Sequence, residues 1–556
     1  MKRLLYAIIC FAAFVGMTAA EGSRSNKSEL RRQLTVFNSL VKELQTNYVD
    51  TIDAARLIRT AIDAMLDEID PYTEYYPEED QEELTSISSG HYGGIGAYIQ
   101  ARDGRVIVSQ PIWDSPARKA GLLHGDVILQ VDSTVLTRGI ESDKVSKMLR
   151  GQPGSQVRVR VLRPYMEGRD SVFTFDIMRH NINVNQLPYY GVDSAGIGYL
   201  RLTTFNEKSA RSVREALEDM RRDGHLRGLI IDLRGNGGGL LESAVQIASL
   251  FVPKGTEIVR TRGFGRNSER VYKTTSQPVD TRLPLVIMTD EGTASASEIL
   301  AGSLQDHDRA VIVGARSYGK GLVQVPRQLP YNALMKVTVA RYYIPSGRLI
   351  QAIDYSHRNP DGSVARIPDS LRRVWHTRAG REVLDGGGIT PDVEAMDTNM
   401  NRLLYNVIAD QWAYDFANRY RARHPETPDP DTFVVDDSIF NEFKAFIDPA
   451  RFKYDRMSEA GVQYLRDAAK AEGYMNDSVA AQLDILERLM KHDLGRDLDF
   501  NRDELIDILD SEISERYFSD ADRTRRSLKY DTEVDTARAV LLDLPRYEKL
   551  LQPKKK

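Results

Sequence analysis

Ser295 and Lys320, twenty-five residues apart, are the side chains whose types and spacing could do chemistry together: a hydroxyl that attacks and an amine that takes its proton. Each lies just beyond an apolar run, Leu283 to Thr289 before the serine and Val311 to Val313 before the lysine. The pattern predicts a helix over Ala296 to Gln305, with Ile299, Leu300 and Leu304 on one side and Ser295 at its start. There the hydroxyl and nearby backbone N–H groups would sit at the positive end of a helix dipole, which suits an oxyanion. The same residues also read as an ordinary Ser-rich helix start with N-caps. A lysine base works only when neutral. Burial would have to lower its pKa from about 10.4 toward 7–8, about 4 kcal/mol of preference for the neutral form.

Gly314-Ala-Arg-Ser-Tyr-Gly319-Lys320 after an apolar run also fits the phosphate-cradling pattern G-x-x-x-x-G-K. The following position should be Ser or Thr to hold magnesium and is Gly321, which argues against nucleotide binding. Between two glycines, Lys320 suits a backbone that approaches closely and aims an amine at a neighbour. A third loop follows the strand-like run from Gly228, ending in Gly235, Gly237, Gly238 and Gly239, whose backbone N–H groups could point at a substrate. In a parallel sheet such loops share the edge at the strands' carboxyl ends, so the three together make an acyl-transfer site. A Ser-His-Asp site fits less well. His307 lies twelve residues past Ser295, on or just beyond the same helix, so its ring would have to fold back roughly 15–18 Å. Ser295 also lacks a G-x-S-x-G elbow. No His pair has metal-ligand spacing, so no metal and no other cofactor is expected.

Together, GTASASE (Gly292 to Glu298), YGKGLVQ (Tyr318 to Gln324) and DLRGNGGG (Asp232 to Gly239) resemble the carboxyl-terminal processing proteases, also called tail-specific serine proteases. The resemblance runs from about Leu30 to Val393. It implies Ser295 as nucleophile, Lys320 as general base and Gln324 as the residue holding the lysine. It also implies an oxyanion hole from the N–H of Ala296 and of a glycine in the Gly238-Gly239 pair. Thr293 and Tyr318 replace residues often Ser and Phe in the family, and Gly237 stands where Pro or Ser is frequent. None of these removes a catalytic group.

The elements that must position these groups give a multidomain α+β architecture: a helical N-terminal region, a PDZ-like β domain, an α/β Ser-Lys protease core and a C-terminal helical domain. A chain of 556 residues has room for all of them. Residues 1–20 read as a signal peptide, with Lys2 and Arg3, an apolar stretch from Leu4 to Met17, and small residues at Thr18, Ala19 and Ala20. An exported, periplasmic or cell-envelope protein is therefore expected. Cys10 is the single cysteine, so a mature chain would have no disulfide or thiol chemistry. Residues 21–90 read as helical from Glu29 to Glu83, with Leu34, Phe37, Leu40 and Leu44 at helical spacing and a second helix over Ala54 to Leu66. Asp70-Pro71 breaks it, in a segment (DPYTEYY) that resembles the family's entry to its PDZ module.

Residues 91–178 read as the PDZ-like domain. Gly93, Gly94, Ile95 and Gly96 precede the strand Ala97 to Ala101 and form the candidate peptide site, where loop N–H groups would receive a terminal carboxylate. Residues 179–396 form the core, with His357 to Asp385 read as a polar, loop-rich insertion. Residues 397–556 turn helical. Leu404, Ile408, Trp412, Phe416 and Tyr420 recur every four residues along what reads as one helix, whose stripe needs the core or a second subunit as partner. Pro425, Pro428 and Pro430 mark a linker. Asp497, Asp499 and Asn501 resemble a calcium loop, but Arg502 and Ile508 occupy its glycine and bidentate positions.

The function expected from these features is a serine endopeptidase with a Ser-Lys dyad. It would recognise the C-terminal tail of exported proteins through the PDZ domain and process or degrade them through an acyl-enzyme. The alternative is a catalytically inactive PDZ scaffold on the same fold. Expected partners are proteins or peptides with a free C-terminus, with a homo-oligomer or adaptor on the C-terminal helices. A net charge of −5 gives no case for nucleic acid.

Overall fold

The computed structural model describes residues 27–80, 90–164, 171–265, 268–359, 361–395, 401–454 and 456–553. The expected signal peptide lies outside them. The described residues form two compact units. One holds the residues up to Glu78 with Gln324–Thr338, the other Glu79–Val323 with the residues from Val339 onward.

In the first unit, the long helical stretch is two helices, 27–47 and Ala54–Asp67. Asp53 caps the second by accepting the Arg56 amide at 3.0 Å. Leu34, Phe37, Leu40 and Leu44 of the first helix are exposed. The DPYT break is a built turn: buried Asp70 accepts the amides of Tyr72 and Thr73 at 2.8 Å, redirecting the chain. Strand Glu74–Tyr76 follows and pairs antiparallel with Leu334 to Lys336.

The second unit begins with the PDZ-like domain. Strands Ala97–Arg102, Arg105–Pro111, Val127–Val131, Gln156–Arg163 and Ser171–Met178 lie in that order, each antiparallel to the next. Alternate valines, Val157, Val159 and Val161, point into a core shared with Val106, Val108 and Val145. Helix Ser142–Leu149 contributes Val145 to it, and His91–Gly94 pairs with His180–Asn183 where the chain enters and leaves.

The protease core is a six-stranded sheet in the order Tyr189–Val192, Ile197–Arg201, Gly228–Asp232, Leu285–Thr289, Val311–Gly314, Val393–Glu394. The first pair is antiparallel and the others parallel. Its inner strands are apolar on both faces because both are covered. Leu229, Ile231, Leu285 and Ile287 face the helices Ser209–Arg221, Leu241–Ala248 and Ala296–Asp306. Ile230, Val286, Met288, Val311 and Val313 face Val534, Ala537, Val540 and Leu541 of the helix Thr532–Leu542 and Tyr547 of the next. The core thus takes its second helical layer from far beyond residue 397.

Two expectations change. The stretch read as an insertion carries two small hairpins, Ile353–Arg358 with Val364–Arg366 and Val374–His376 with Glu382–Leu384. The five-residue apolar stripe spans two helices, Arg402–Ala409 and Trp412–Arg423, broken where Gln411 adopts φ +59°. Leu404 and Phe416 are buried within the chain and Trp412 and Tyr420 pack against the same cluster, while Ile408 stays exposed. Four-residue spacing cannot reveal a two-residue break, because the residues on either side keep their types.

Candidate active site

Three loops leave the carboxyl ends of neighbouring parallel strands, after Asp232, Thr289 and Gly314. They are tied to each other by hydrogen bonds. Thr293 Oγ1 donates to the Leu233 carbonyl at 2.9 Å, the Ala294 amide to Asn236 at 3.0 Å, and the Tyr318 amide to Thr293 at 3.0 Å. Ser295 opens the helix Ala296–Asp306 with φ +56°, a left-handed backbone that a non-glycine residue holds only when its surroundings demand it. Ser295 and Lys320 are both half-buried, so each keeps access to solvent.

The residue that joins them is Glu298, fully buried one turn into the helix. One carboxylate oxygen accepts the amides of Ser295 at 2.8 Å and Lys320 at 2.9 Å. The other accepts the Gly319 amide at 2.7 Å and the Ser317 hydroxyl at 2.6 Å. The backbones of Ser295 and Lys320 are therefore held by a single side chain. Burial pushes the Glu298 carboxyl up to about 7, against the lowering pull of those four donors. Tyr342 makes a second bridge: its hydroxyl lies 2.6 Å from the Lys320 carbonyl oxygen and 3.2 Å from that of Ser295. Because the Gly319 and Lys320 amides point at a carboxylate, the loop is not a phosphate cradle.

The glycine loop is shaped by Asn236. Its Oδ1 accepts the Gly238 amide at 2.9 Å and its Nδ2 donates to the Leu202 carbonyl at 2.7 Å. A Cβ on Gly238 would stand 2.8 Å from Ser295 Cβ and 2.9 Å from the Ala296 nitrogen, so glycine is what lets this backbone come close to Ser295. The adjoining bridge to Phe205 uses the amides of Phe205 and Leu240 and the carbonyls of Gly238 and Phe205. The Gly239 amide takes no part in it, whereas that of Gly238 is already donated. Ala296 is the first residue of its helix, where amides have no intrahelical acceptor.

Gln324 belongs to the first unit, where its amide donates to Thr338 Oγ1 at 3.1 Å. Thr338 is in turn linked to Thr73 and so to Asp70. His307 stands at the far end of the Ser295 helix with Nε2 2.7 Å from the Glu257 carbonyl oxygen. Asp497 of the calcium-like stretch is engaged by His492 Nδ1 at 2.5 Å and by the Tyr454 hydroxyl. Among the described residues no group of His, Cys, Asp or Glu is arranged for a metal, and no helix is long and apolar enough to cross a membrane.

In the PDZ-like domain, a cavity of about 210 Å³ runs between strand Ala97–Arg102 and helix Ser142–Leu149, lined by Gly94, Ile95, Gly96, Tyr98, Ser146 and Leu149 among others. Gly93 has a supporting place. Its carbonyl accepts the Gly151 amide at 3.1 Å, and a Cβ there would meet the Gly151 oxygen at 2.2 Å. Sequence reasoning passed over Glu298, Tyr342 and Asn236 as functional residues. For Glu298 the signal was present, since Ser295-x-x-Glu298 has capping-box spacing. Tyr342 and Asn236 carried no local signal.

Comparison with known proteins identifies the family. The profile of peptidase family S41 matches residues 196–361, that of the PDZ domain residues 93–177, and that of the C-terminal helical domain of PDZ-proteases residues 403–541. A carboxy-terminal-processing protease of Bartonella bacilliformis is 34% identical over 63% of this chain and 81% of its own. A CtpA-like serine protease of Staphylococcus haemolyticus is 29% identical over 74% of this chain and 81% of its own. Among solved structures, the photosystem II D1 C-terminal processing protease is 29% identical, with 65% of this chain and 86% of that one covered at a TM-score of 0.37. With Ser295 heading a helix at the carboxyl edge of its sheet, Lys320 tied to it through Glu298, and a PDZ domain upstream, the chain belongs to peptidase family S41, among the PDZ-bearing carboxy-terminal-processing serine proteases of the CtpA-like kind.

Proposed function

We propose that this protease takes exported proteins by their free C-termini in the PDZ groove and cleaves them through an acyl-enzyme on Ser295. Lys320 takes the proton from the serine and returns it to the leaving amine. Gln324 orients the lysine, and the amides of Ala296 and of the Gly238-Gly239 pair hold the oxyanion. Of that pair, Gly239 is the better donor, because Asn236 already occupies the Gly238 amide. The periplasm or cell envelope is the compartment this reading assigns. The observation that carries it is the Glu298 carboxylate accepting from both the Ser295 and Lys320 backbones, an arrangement that serves to hold those two residues in fixed relation.

The test uses purified protein and a peptide with a free, apolar C-terminus. Ser295→Ala should stay folded, bind the peptide and not cleave it. Lys320→Arg should be as inactive as Lys320→Ala, because a guanidinium does not give up its proton in the working range. Amidating the peptide's C-terminus removes its charge and should weaken capture about ten-fold, given that charge-assisted hydrogen bonds run about 1.5–3 kcal/mol. Turnover by Ser295→Ala, or activity in Lys320→Arg, would overturn the assignment of roles. Equal cleavage of amidated and free-acid peptide would overturn the tail reading.

A further inference from the structure

Where the PDZ-like domain meets the helical bundle, a small cavity of about 30 Å³, partly open to solvent, is lined by Arg118, His124 and Arg163 from one side and Asn418, Arg421 and Arg516 from the other. That is room for one or two waters or a single monatomic ion. Its wall is rich in donors. Asn418 is 5% exposed and its Oδ1 accepts Arg516 Nε at 3.0 Å, which fixes the amide so that Nδ2 is the remaining end. That Nδ2 is turned toward the Tyr414 hydroxyl, whereas Nε2 of His124, which is 6% exposed, makes no hydrogen bond among the described residues. A buried imidazole nitrogen thus lines the cavity without a partner, and such a group is costly to leave unmet.

The charges are equally one-sided. Arg163 is paired with Asp126 at 2.7 Å, and Arg516 with Glu512 at 2.7 Å and Glu515 at 3.3 Å. Asp520 influences Arg118 but is paired with Arg523 at 3.3 Å. Arg118 instead donates to the Arg516 carbonyl at 3.1 Å and stacks over Trp113, and Arg421 donates to the His424 carbonyl at 3.1 Å and stacks over Tyr517. Among the described residues neither guanidinium has a carboxylate in an ion pair. Burial and the surrounding arginines, Arg516 and Arg118 first, hold the His124 imidazole neutral. A water would have to turn its own protons toward these guanidinium donors, whereas an anion accepts from all of them and from His124 when the neutral ring carries its proton on Nε2.

We propose that this cavity binds a small monovalent anion of chloride's size, which ties the PDZ-like domain to the helical bundle. The full chain should melt higher in sodium chloride than in sodium gluconate at equal ionic strength, by on the order of 2 °C, and the rise should saturate. Crystals soaked in bromide should show an anomalous peak between His124 and Asn418. Asn418→Asp supplies the negative charge covalently. It should match the chloride-bound melting temperature in gluconate and stop responding to chloride. Arg421→Gln, which removes one charge without adding another, should weaken the chloride response about ten-fold. Identical melting in the two salts, an unoccupied cavity in bromide, or an unchanged chloride response in Arg421→Gln or Asn418→Asp would each overturn the anion site and leave water as its occupant.

Discussion

Glu298 gives the site a pH dependence whose two consequences run in opposite directions. Its carboxyl, pushed by burial to about 7 from a usual value near 4.5, holds its proton to higher pH when folded than when unfolded. The cost of burying its charge therefore falls on the folded state above about pH 7. It is relieved as pH drops toward the unfolded value, a difference on the order of 3 kcal/mol. Protonation also removes an acceptor that faces four donors, which loosens the tie between the Ser295 and Lys320 backbones. From about pH 7.5 to about pH 5, the wild type should lose turnover while gaining melting temperature relative to Glu298→Gln. That variant can satisfy one oxygen's donors but not both sets, so its kcat should fall roughly 10–100-fold with KM for a tail peptide little changed. A parallel melting curve across that range for both proteins would show that Glu298 is not the titrating group. Tyr342→Phe removes only a hydroxyl. It should cost about 1 kcal/mol of stability and lower kcat about ten-fold at constant KM. An unchanged kcat would mean that Glu298 fixes the geometry alone. That Ser295 and Lys320 come together was legible at this scale, because residue type and motif single both out. Tyr342 was not, since what matters is where a strand more than twenty residues past Lys320 delivers its hydroxyl.

The loops and the helix they feed show which positions tolerate change. Gly237, Gly238 and Gly239 look alike in sequence, and the structure separates them. A Cβ on Gly237 meets nothing within 4 Å and its backbone is in an ordinary region. On Gly239, at φ +139°, a Cβ would stand 2.1 Å from the Phe205 carbonyl oxygen, which belongs to the bridge that seats the loop. Gly237→Ala should therefore leave activity within about two-fold, as expected for an open surface position. Gly239→Ala should displace the loop and abolish cleavage, and Gly238→Ala should do the same by crowding Ser295 Cβ. Comparable kcat values for Gly237→Ala and Gly239→Ala would break the argument. The strands and the Ser295 helix were readable from apolar runs buried on both faces and from the helix-start pattern. The break at Gln411 was not, nor were the hairpins between Ile353 and Leu384, because short polar strands carry no strong period.

At the scale of the whole molecule, the C-terminal helices are part of what makes the protease core stable. Val534, Val540, Leu541 and Tyr547 are buried against the sheet face that presents Ile230, Val286, Met288, Val311 and Val313. At about 1.5–3 kcal/mol for each large side chain, these four contribute roughly 6–12 kcal/mol, comparable to the whole stability of a domain, about 5–15 kcal/mol. The same docking engages Arg234 of the glycine loop, which is paired with Asp531 at 2.7 Å and Glu533 at 2.6 Å as well as with Asp232 of its own strand. A chain ending at Ala395 should therefore aggregate or bind a hydrophobic dye without a cooperative melt, rather than persist as a smaller active protease. The helical hairpin Met457–Leu489 offers the control. Its two helices bury Val462 and Leu483, and Arg466 pairs within it with Asp484 at 2.7 Å and Glu487 at 2.9 Å. Replacing Gly461 to Leu489 by a short flexible linker should leave the melting temperature of the core and the cleavage rate nearly unchanged. A soluble, cooperatively melting protein ending at Ala395 would mean that the sheet finds another cover. Loss of the core's transition on removing the hairpin alone would mean that stability is spread across the bundle rather than concentrated in the last two helices.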